Sequence, residues 1–180
     1  MALTLETLYK DHDNLRRILF LAESLLIDLC RGTSCDYPLL QRLLAYIQDY
    51  PERVHHPVED AMLTTIFSND VGGEKFRKDS SALIKDHTAI EKITREAVQA
   101  VESLLVEPEQ DSARIAGILS TLISRQRSHI LFEEVNIYPY ISKHLDGEEW
   151  KRIAATVPDL DDPVFGDRVR AEYEMLVSAL

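Results

Sequence analysis

The sequence predicts an all-α protein, namely a four-helix bundle of up-down-up-down topology with a short C-terminal helical extension. Apolar residues recur every three or four positions along four long stretches, and short turns join these stretches. No alternating strand pattern of useful length appears, and 6 Gly and 7 Pro are too few for a loop-dominated β fold. We assign residues 1–144 to the bundle and residues 145–180 to the extension, which we expect to pack on the bundle.

The first two helices are predicted from their apolar faces. The first begins near Leu5 and ends at Gly32, and its face consists of Leu5, Leu8, His12, Leu15, Leu19, Ala22 and Leu26. The second begins at Cys35 or Asp36 and ends near Phe67, and its face consists of Leu40, Leu44, Ile47, Val54, Val58, Met62 and Ile66. Pro51 and Pro57 fall inside it, and each should bend it because proline lacks a backbone donor.

The third and fourth helices follow a turn at residues 68–73. The third is expected from Glu74 to Val106, and its face consists of Leu83, His87, Ile90, Thr94, Ala97, Val101 and Leu104. After a break at Pro108, Asp111 or Ser112 can cap the fourth helix, which runs to about Lys143. Its face consists of Ile115, Ile118, Leu122, Arg125, His129, Phe132 and Asn136.

The extension is predicted to contain a short helix, an acidic loop and a terminal helix. The short helix runs from Asp146 to about Val157, and residues 158–163 form the loop. One stripe of the terminal helix consists of Phe165, Val169, Tyr173, Leu176 and Leu180. We expect this stripe to be buried against the bundle, and a homodimer partner is the alternative.

Composition excludes several classes of function. The chain has 180 residues with 20 Lys and Arg against 31 Asp and Glu, a formal net charge of −11. Such an acidic chain is a poor ligand for nucleic acid or an anionic membrane. No apolar stretch approaches about 18 residues, no signal peptide is evident, and Cys30 and Cys35 do not form a disulfide framework. We therefore expect a cytoplasmic protein with no nucleic-acid or membrane partner.

Histidine and glutamate residues interrupt the apolar faces. Four of the six histidines, His12, His55, His87 and His129, lie on inner faces of four different helices. Glu59 follows His55 by four residues, and Glu133 follows His129 by four. Because residues four apart lie on the same helix face, each pair can present an imidazole and a carboxylate to one interior point.

The spacing places these side chains at one level of the bundle. His12 and His55 lie 22 and 21 residues from the first turn, taken at Ser34, and His87 and His129 each lie 21 residues from the third turn, taken at Pro108. His55 and His87 are each 16 residues from the second turn, taken at Val71. At about 1.5 Å rise per residue, the four histidines share one height, and both glutamates lie one turn further along.

This arrangement predicts a pair of metal ions. Two ionised carboxylates in a dry core each cost several kcal/mol unless cations compensate them. Imidazole and carboxylate ligands suit iron, manganese or zinc, and bridging carboxylates suit two ions about 3.5–4 Å apart. His56 is either a flanking group or, if Pro57 unwinds the turn, an extra ligand, and His144 is interpreted as a surface residue. The candidate metal ligands are His12, His55, Glu59, His87, His129 and Glu133.

These motifs resemble the hemerythrin-like proteins of the HHE cation-binding family. The resemblance covers about residues 3–143 and rests on Asp11-His12, on residues 55–60, on Asp86-His87 and on residues 129–133. It implies a four-helix bundle that holds a non-haem di-iron centre (Fe²⁺/Fe³⁺, oxo- or hydroxo-bridged), with zinc or manganese as alternatives. By this resemblance His12 and His55 ligate one iron, His87 and His129 the other, and Glu59 and Glu133 bridge both.

The sequence differs from the oxygen-carrying hemerythrins, which have two histidines at i and i+4 on the third helix. Here Leu83 and Glu91 stand four residues before and after His87, so the site has one histidine fewer. Storage of O₂ alone is therefore disfavoured, and one iron has more room. Glu91 either fills this place or is a solvated charge beside Lys92 and Arg95.

Three functions share this predicted core. The first is a redox-active or ligand-binding di-iron protein that takes O₂, NO or peroxide. The second is an iron or oxygen sensor or adaptor in which helical order reports the metal state. The third is a structural metal-binding bundle. No catalytic residue is assigned, and whether the protein is an enzyme is left open. Packing at the bundle edge is the expected role of the tyrosines at 9, 46, 50, 138 and 140.

Overall fold

The computed structural model describes residues 3–32, 34–68, 73–106, 112–157 and 161–180. All regular elements within these ranges are helical, so the all-α prediction is confirmed. Outside these ranges lie residues 69–72 of the turn predicted at 68–73, the break at Pro108, the cap at Asp111 and residues 158–160 of the acidic loop. Among the described helices, none has both the length and the apolar character that a bilayer crossing requires.

Long helices make up most of the described part of residues 3–144, and two turns of π-helix interrupt them. The first half contains α1 (Leu5–Arg31), α2 (Tyr37–Asp49), a π-helix (Pro51–His55) and α3 (His56–Ser68). The second half contains α4 (Glu74–Val106), α5 (Ser112–Phe132), a second π-helix (Glu133–Ile137) and α6 (Tyr138–His144). In the extension are α7 (Gly147–Ala154), a 3₁₀ turn (Ala171–Tyr173) and α8 (Glu174–Ala179).

The ends of α1 follow from local chemistry. Thr4 and Thr7 form a reciprocal capping box at its start, which satisfies backbone donors that the helix leaves free. Gly32 has a left-handed conformation with φ of 66°, and its N–H donates to the carbonyls of Asp28 and Leu29. Since only glycine adopts this conformation without steric cost, the predicted stop at Gly32 is confirmed.

The inner faces form two apolar clusters with a polar layer between them. The larger cluster includes Leu19 of α1, Leu44 of α2, Val101 of α4 and Leu122 of α5. The second cluster lies beyond the polar layer and includes Leu8, Met62, Leu83, Ile137 and Ile141. Along the chain, a residue of one cluster precedes and a residue of the other follows each of His12, His55, His87 and Glu133, so apolar side chains enclose the polar layer from both ends.

Both π-helices precede a proline. His56 N–H donates to the carbonyl of Pro51, and Tyr138 N–H donates to the carbonyl of Glu133, each across five residues. Pro57 comes directly after His56, and Pro139 directly after Tyr138. In a regular α-helix, each proline ring would clash with the carbonyl group four residues before it. The sequence left open whether Pro57 bends the helix or unwinds the turn, and the structure has a wider turn that changes which side chains face inward.

The terminal helix is shorter than the sequence indicated. Phe165 and Val169 precede it, and Val169 is exposed, so the prediction of one continuous helical stripe is wrong in its first half. The reason is local: the Asp162 carboxylate accepts the N–H groups of Val164 and Phe165 and holds a turn there.

The extension contacts α2 through buried side chains. Tyr173 and Leu176 are buried within the larger apolar cluster. Tyr46 donates its hydroxyl to Asp162 at 3.0 Å, and Tyr173 donates to Asp49 at 2.6 Å. These bonds connect the extension to the helix that leads into the first π-helix.

Leu176→Ala should destabilise the protein by about 2–5 kcal/mol, because it deletes a fully buried side chain. Met175→Ala on the exposed face of the same helix should change the free energy of unfolding by less than about 0.5 kcal/mol. Denaturant unfolding of both variants measures this. Equal effects of the two substitutions would contradict the packing described for α8.

Candidate metal centre

The polar layer brings together all six side chains that the sequence nominated. They come from α1, the first π-helix, α3, α4, α5 and the second π-helix, and each is at most 4% exposed. Glu59 and Glu133 are completely buried. The layer consists of His12, His55, Glu59, His87, His129 and Glu133.

The side chains form two groups, and in each group one ligand atom per residue lies within 4.8 Å of the others. The first group is His12, His55, Glu59 and Glu133, and the second is His56, Glu59, His87 and His129. Glu133 also approaches the second group, since its Oε1 lies 3.0 Å from His129 Nε2 and 3.5 Å from His87 Nε2. Both glutamates therefore face both groups, as bridging ligands would.

A carboxylate outside the layer holds the Nδ1 atom of each predicted histidine. Because a carboxylate only accepts, each Nδ1 carries a proton, and Nε2 is the nitrogen that presents a lone pair to the interior when the ring is neutral. The four pairs are His12–Glu134 at 3.0 Å, His55–Asp11 at 3.1 Å, His87–Asp60 at 3.2 Å and His129–Asp86 at 2.9 Å.

Three of these outer carboxylates, Asp11, Asp60 and Asp86, lie in the motifs, but their roles were not predicted, and Glu134 lies just outside the motif at 129–133. Asp11 and Asp86 each precede a predicted histidine by one residue. In the structure, however, Asp11 accepts from His55 and Asp86 from His129, so each serves the histidine of a different helix. Sequence reasoning could not assign these crossed partners, because they depend on how the helices are rotated.

The Nε2 atoms of His12 and His55 are only 3.2 Å apart. Since both Nδ1 atoms are protonated, two lone pairs would face each other if both rings were neutral. A shared cation, either a proton or a metal ion, removes this repulsion.

Several buried atoms of the layer lack a hydrogen-bond partner of suitable geometry within the described part of the chain. They are His87 Nε2, His129 Nε2, Glu59 Oε2 and both carboxylate oxygens of Glu133. An unsatisfied buried polar atom costs about 1–3 kcal/mol, and more if it is charged. These are the atoms that would ligate ions between the two groups, so the donor set fits a metal pair.

Protons compensate part of the charge when no metal is bound. Burial lowers the pKa of His55, but Glu59 and Asp11 outweigh this effect and raise it to about 10. Likewise burial lowers the pKa of His129, whereas Glu133 and Asp86 raise it to about 9. For Glu59, burial raises the pKa, but the neighbouring imidazolium of His55 holds it well below the usual range. The layer therefore attracts cations strongly.

His56 lies inside the layer and not beside it. Its ring stacks on His87 with centroids 4.2 Å apart, and its Nδ1 is buried without a partner among the described residues. Burial and then the neighbouring His87 lower its pKa well below the usual value, so the ring is neutral and can donate a lone pair. Of the two interpretations left open for His56, the geometry favours the extra ligand. Glu91 belongs to neither group and pairs with Arg95 at 3.8 Å.

Tyr138 also reaches the layer, so the expectation that it packs at the bundle edge is wrong. It is completely buried, its hydroxyl donates to Glu59 Oε1 at 2.6 Å, and its ring stacks on His12. Burial and then Glu59 raise the pKa of this phenol well above its usual value. Tyr138 follows Glu133 by five residues, a spacing that aligns two side chains only across a π-helical turn.

Comparison with known families agrees with this geometry. Residues 3–141 match the model of the hemerythrin HHE cation binding domain. The chain belongs to this family. No curated protein and no solved structure matches it. The family match includes every residue of the polar layer, whereas the C-terminal extension lies beyond it.

The hemerythrin-family chain has a further half-buried carboxylate, Glu52, one turn before His55. Its Oε1 is buried and has no hydrogen-bond partner among the described residues. Burial raises the pKa of Glu52 to about 7, although the Thr94 hydroxyl opposes this. In the unfolded chain the carboxyl ionises near pH 4.5. The folded state therefore binds more protons between these values, and its stability falls as the pH rises through this window.

Glu52→Gln should remove this pH dependence. Relative to the parent, the variant should gain about 1–2 kcal/mol as the pH rises from 4.5 to 8, which is less than the full linkage energy because the site is partly solvated. Denaturant unfolding in the presence of a chelator measures the difference, and the exposed Glu148→Gln is the control. A difference that does not vary with pH would contradict the raised pKa.

Proposed function

We propose that this chain is a non-haem di-iron protein that binds O₂, NO or peroxide at a carboxylate-bridged centre, in a redox or ligand-binding role. One observation carries the proposal: two groups of buried histidines share Glu59, and Glu133 belongs to the first group and lies 3.0–3.5 Å from His129 and His87 of the second. Family membership supports cation binding, and the mixture of imidazole and carboxylate ligands suits iron. Free thiols at Cys30 and Cys35 are in keeping with the cytoplasm as the proposed compartment.

The proposed scaffold is an up-down-up-down four-helix bundle. Its four members are α1, α2 with α3, α4, and α5 with α6. Helix α1 contacts α2 and α5, and α4 contacts the same two helices, so each member has two neighbours around a common axis. This cyclic order supports the proposed topology, in which the polar layer would lie between all four members.

Each residue of the layer has a proposed task. His12 and His55 hold one iron, His56, His87 and His129 hold the other, and Glu59 and Glu133 bridge them. His56 thus supplies the nitrogen that the third helix lacks. Bound iron supplies a Lewis acid and an electron donor.

The surroundings of the layer support a small exogenous ligand. Asp11, Asp60, Asp86 and Glu134 fix the ring orientations, which increases ligand basicity and keeps each Nε2 aimed inward. The apolar clusters at both ends exclude water and bulky molecules. A diatomic molecule or a peroxide is small enough to enter such a site.

A sensor or adaptor is the second candidate, because hydrogen bonds connect the extension with the layer. Tyr46 donates to Asp162 of the extension, and its ring stacks on Tyr50. Tyr50 donates to Asp11 at 3.2 Å, and Asp11 holds His55. Loss of metal could loosen this chain of contacts. In that case, hydrogen exchange of residues 161–180 should accelerate when the metal is removed.

Ligand substitutions should separate bridging from terminal roles. Glu59→Ala or Glu133→Ala should lose both metals, because a bridging ligand serves two ions, whereas His12→Ala should lose chiefly one. Metal analysis after ferrous loading counts the ions, and a chelator should lower the melting temperature of the parent. His144→Ala, outside the layer, is the control. Loss of a single metal in all three variants would contradict the assignment of bridges.

Anaerobic ferrous loading followed by air distinguishes the candidate functions. Near-ultraviolet and visible absorption that disappears under vacuum would indicate reversible O₂ binding. Irreversible oxidation would favour a redox role. If the protein retains zinc and its spectrum does not change, the proposed redox role is wrong and the structural metal bundle is favoured.

A further inference from the structure

The hydroxyl oxygen of Tyr138 lies among the ligand atoms of the first metal group. It is 2.6 Å from Glu59 Oε1 and 3.1 Å from His12 Nε2. His12 Nε2 is in turn 3.2 Å from both His55 Nε2 and Glu133 Oε2. Five atoms from five residues therefore converge, and one of them is a phenol oxygen.

These separations match those of ligands around one ion. Two atoms that each lie about 2.1 Å from a six-coordinate ion, at right angles to each other, are about 3.0 Å apart. The distances from His12 Nε2 to His55, Glu133 and Tyr138 are all within a few tenths of an ångström of this value. The Tyr138 hydroxyl oxygen is therefore as close to His12 Nε2 as His55 Nε2 and Glu133 Oε2 are.

The phenol oxygen has two polar neighbours within hydrogen-bond distance, Glu59 and His12. Its proton goes to Glu59, so its remaining lone pairs face His12 Nε2. That nitrogen is also an acceptor in the neutral ring, because Glu134 holds the proton on Nδ1. Two acceptors 3.1 Å apart in a dry interior repel each other, and a cation between them removes the repulsion.

The chain places this phenol by the same device that places His56. A π-helical turn ends at each of these positions, next to Pro57 and Pro139. In a regular α-helix, residues five apart point about 140° away from each other. The wide turn brings Tyr138 to the same side as Glu133, and the stacking on His12 fixes the ring.

We propose that Tyr138 is a ligand of the metal ion held by His12 and His55. The inference rests on the proposed di-iron function and assigns a fifth protein ligand to one ion. On binding, the phenol proton is released to solvent and an oxygen–metal bond forms, with no change in oxidation state. The two ions are then unequal: one has two nitrogens and a phenolate, and the other has three nitrogens.

Phenolate ligation has a spectroscopic signature that packing does not produce. A phenolate bound to ferric iron gives a charge-transfer band in the visible and enhanced phenolate ring vibrations in the resonance Raman spectrum. The full-length chain should be loaded anaerobically with ferrous iron, oxidised with ferricyanide and measured by both methods, with iron counted in the same sample. We expect both signals in the parent protein.

Tyr138→Phe keeps the ring that stacks on His12 and removes only the oxygen. This variant should lose both signals, and its iron affinity should fall about 10-fold or more, whereas the chain should remain folded by circular dichroism. Tyr9→Phe is the matched control, because Tyr9 packs edge-on against Tyr138 but its ring is partly exposed. The control should retain both signals.

The outcomes separate this inference from the proposed function. Two irons in the parent without the phenolate signals would overturn the role of Tyr138 and leave the di-iron centre standing. The same conclusion follows if Tyr138→Phe keeps the signals. A parent protein that binds no iron would overturn the proposed function itself. If the variant does not fold, the parent spectrum alone decides, since it requires no substitution.

Discussion

Two carboxylates without solvent exposure, Glu59 and Glu133, impose the constraint on which the rest of the structure depends. Each would cost several kcal/mol in an apolar interior if its charge were uncompensated. The chain surrounds them with imidazoles and places a second set of carboxylates on the outer nitrogens of four of these rings. The result is a layered arrangement of charge in which the centre needs cations and the periphery holds the ligands in place. The two apolar clusters keep water away from it.

The two π-helices allow side chains to point into the layer that a regular α-helix would direct elsewhere. A regular helix cannot point both His55 and His56 at the same interior, and it cannot align Glu133 with Tyr138. In each case a turn closed across five residues places the extra side chain in the layer, and a proline follows immediately. Such turns are rare in proteins, and those that occur are often found at functional sites. They replace the regular hydrogen bonds across four residues by bonds across five, which changes the direction of the side chains. The same device on two helices indicates that the layer, and not helix stability, determines this geometry.

The sequence predicted the features that follow from regular periodicity. The apolar faces of α1 and α4, the stop at Gly32 and the convergence of six polar side chains all depend on 3.6 residues per turn and short connections. The inward direction of Tyr138 was not predicted, and that of His56 was only one of two alternatives, since both depend on where a helix widens. The crossed pairs between Asp11 and His55 and between Asp86 and His129 depend on helix rotation. The segment from Phe165 to Arg170 is not helical, because the turn held by Asp162 overrides its apolar spacing.

The most direct test of the central claim is anomalous diffraction at the iron edge from crystals of the iron-loaded protein. We expect two peaks within the polar layer, about 3.5–4 Å apart. One should lie beside His12 and His55, the other beside His87 and His129, and the carboxylates of Glu59 and Glu133 should contact both. A single peak, or peaks outside the layer with either glutamate bound to neither ion, would contradict a carboxylate-bridged pair.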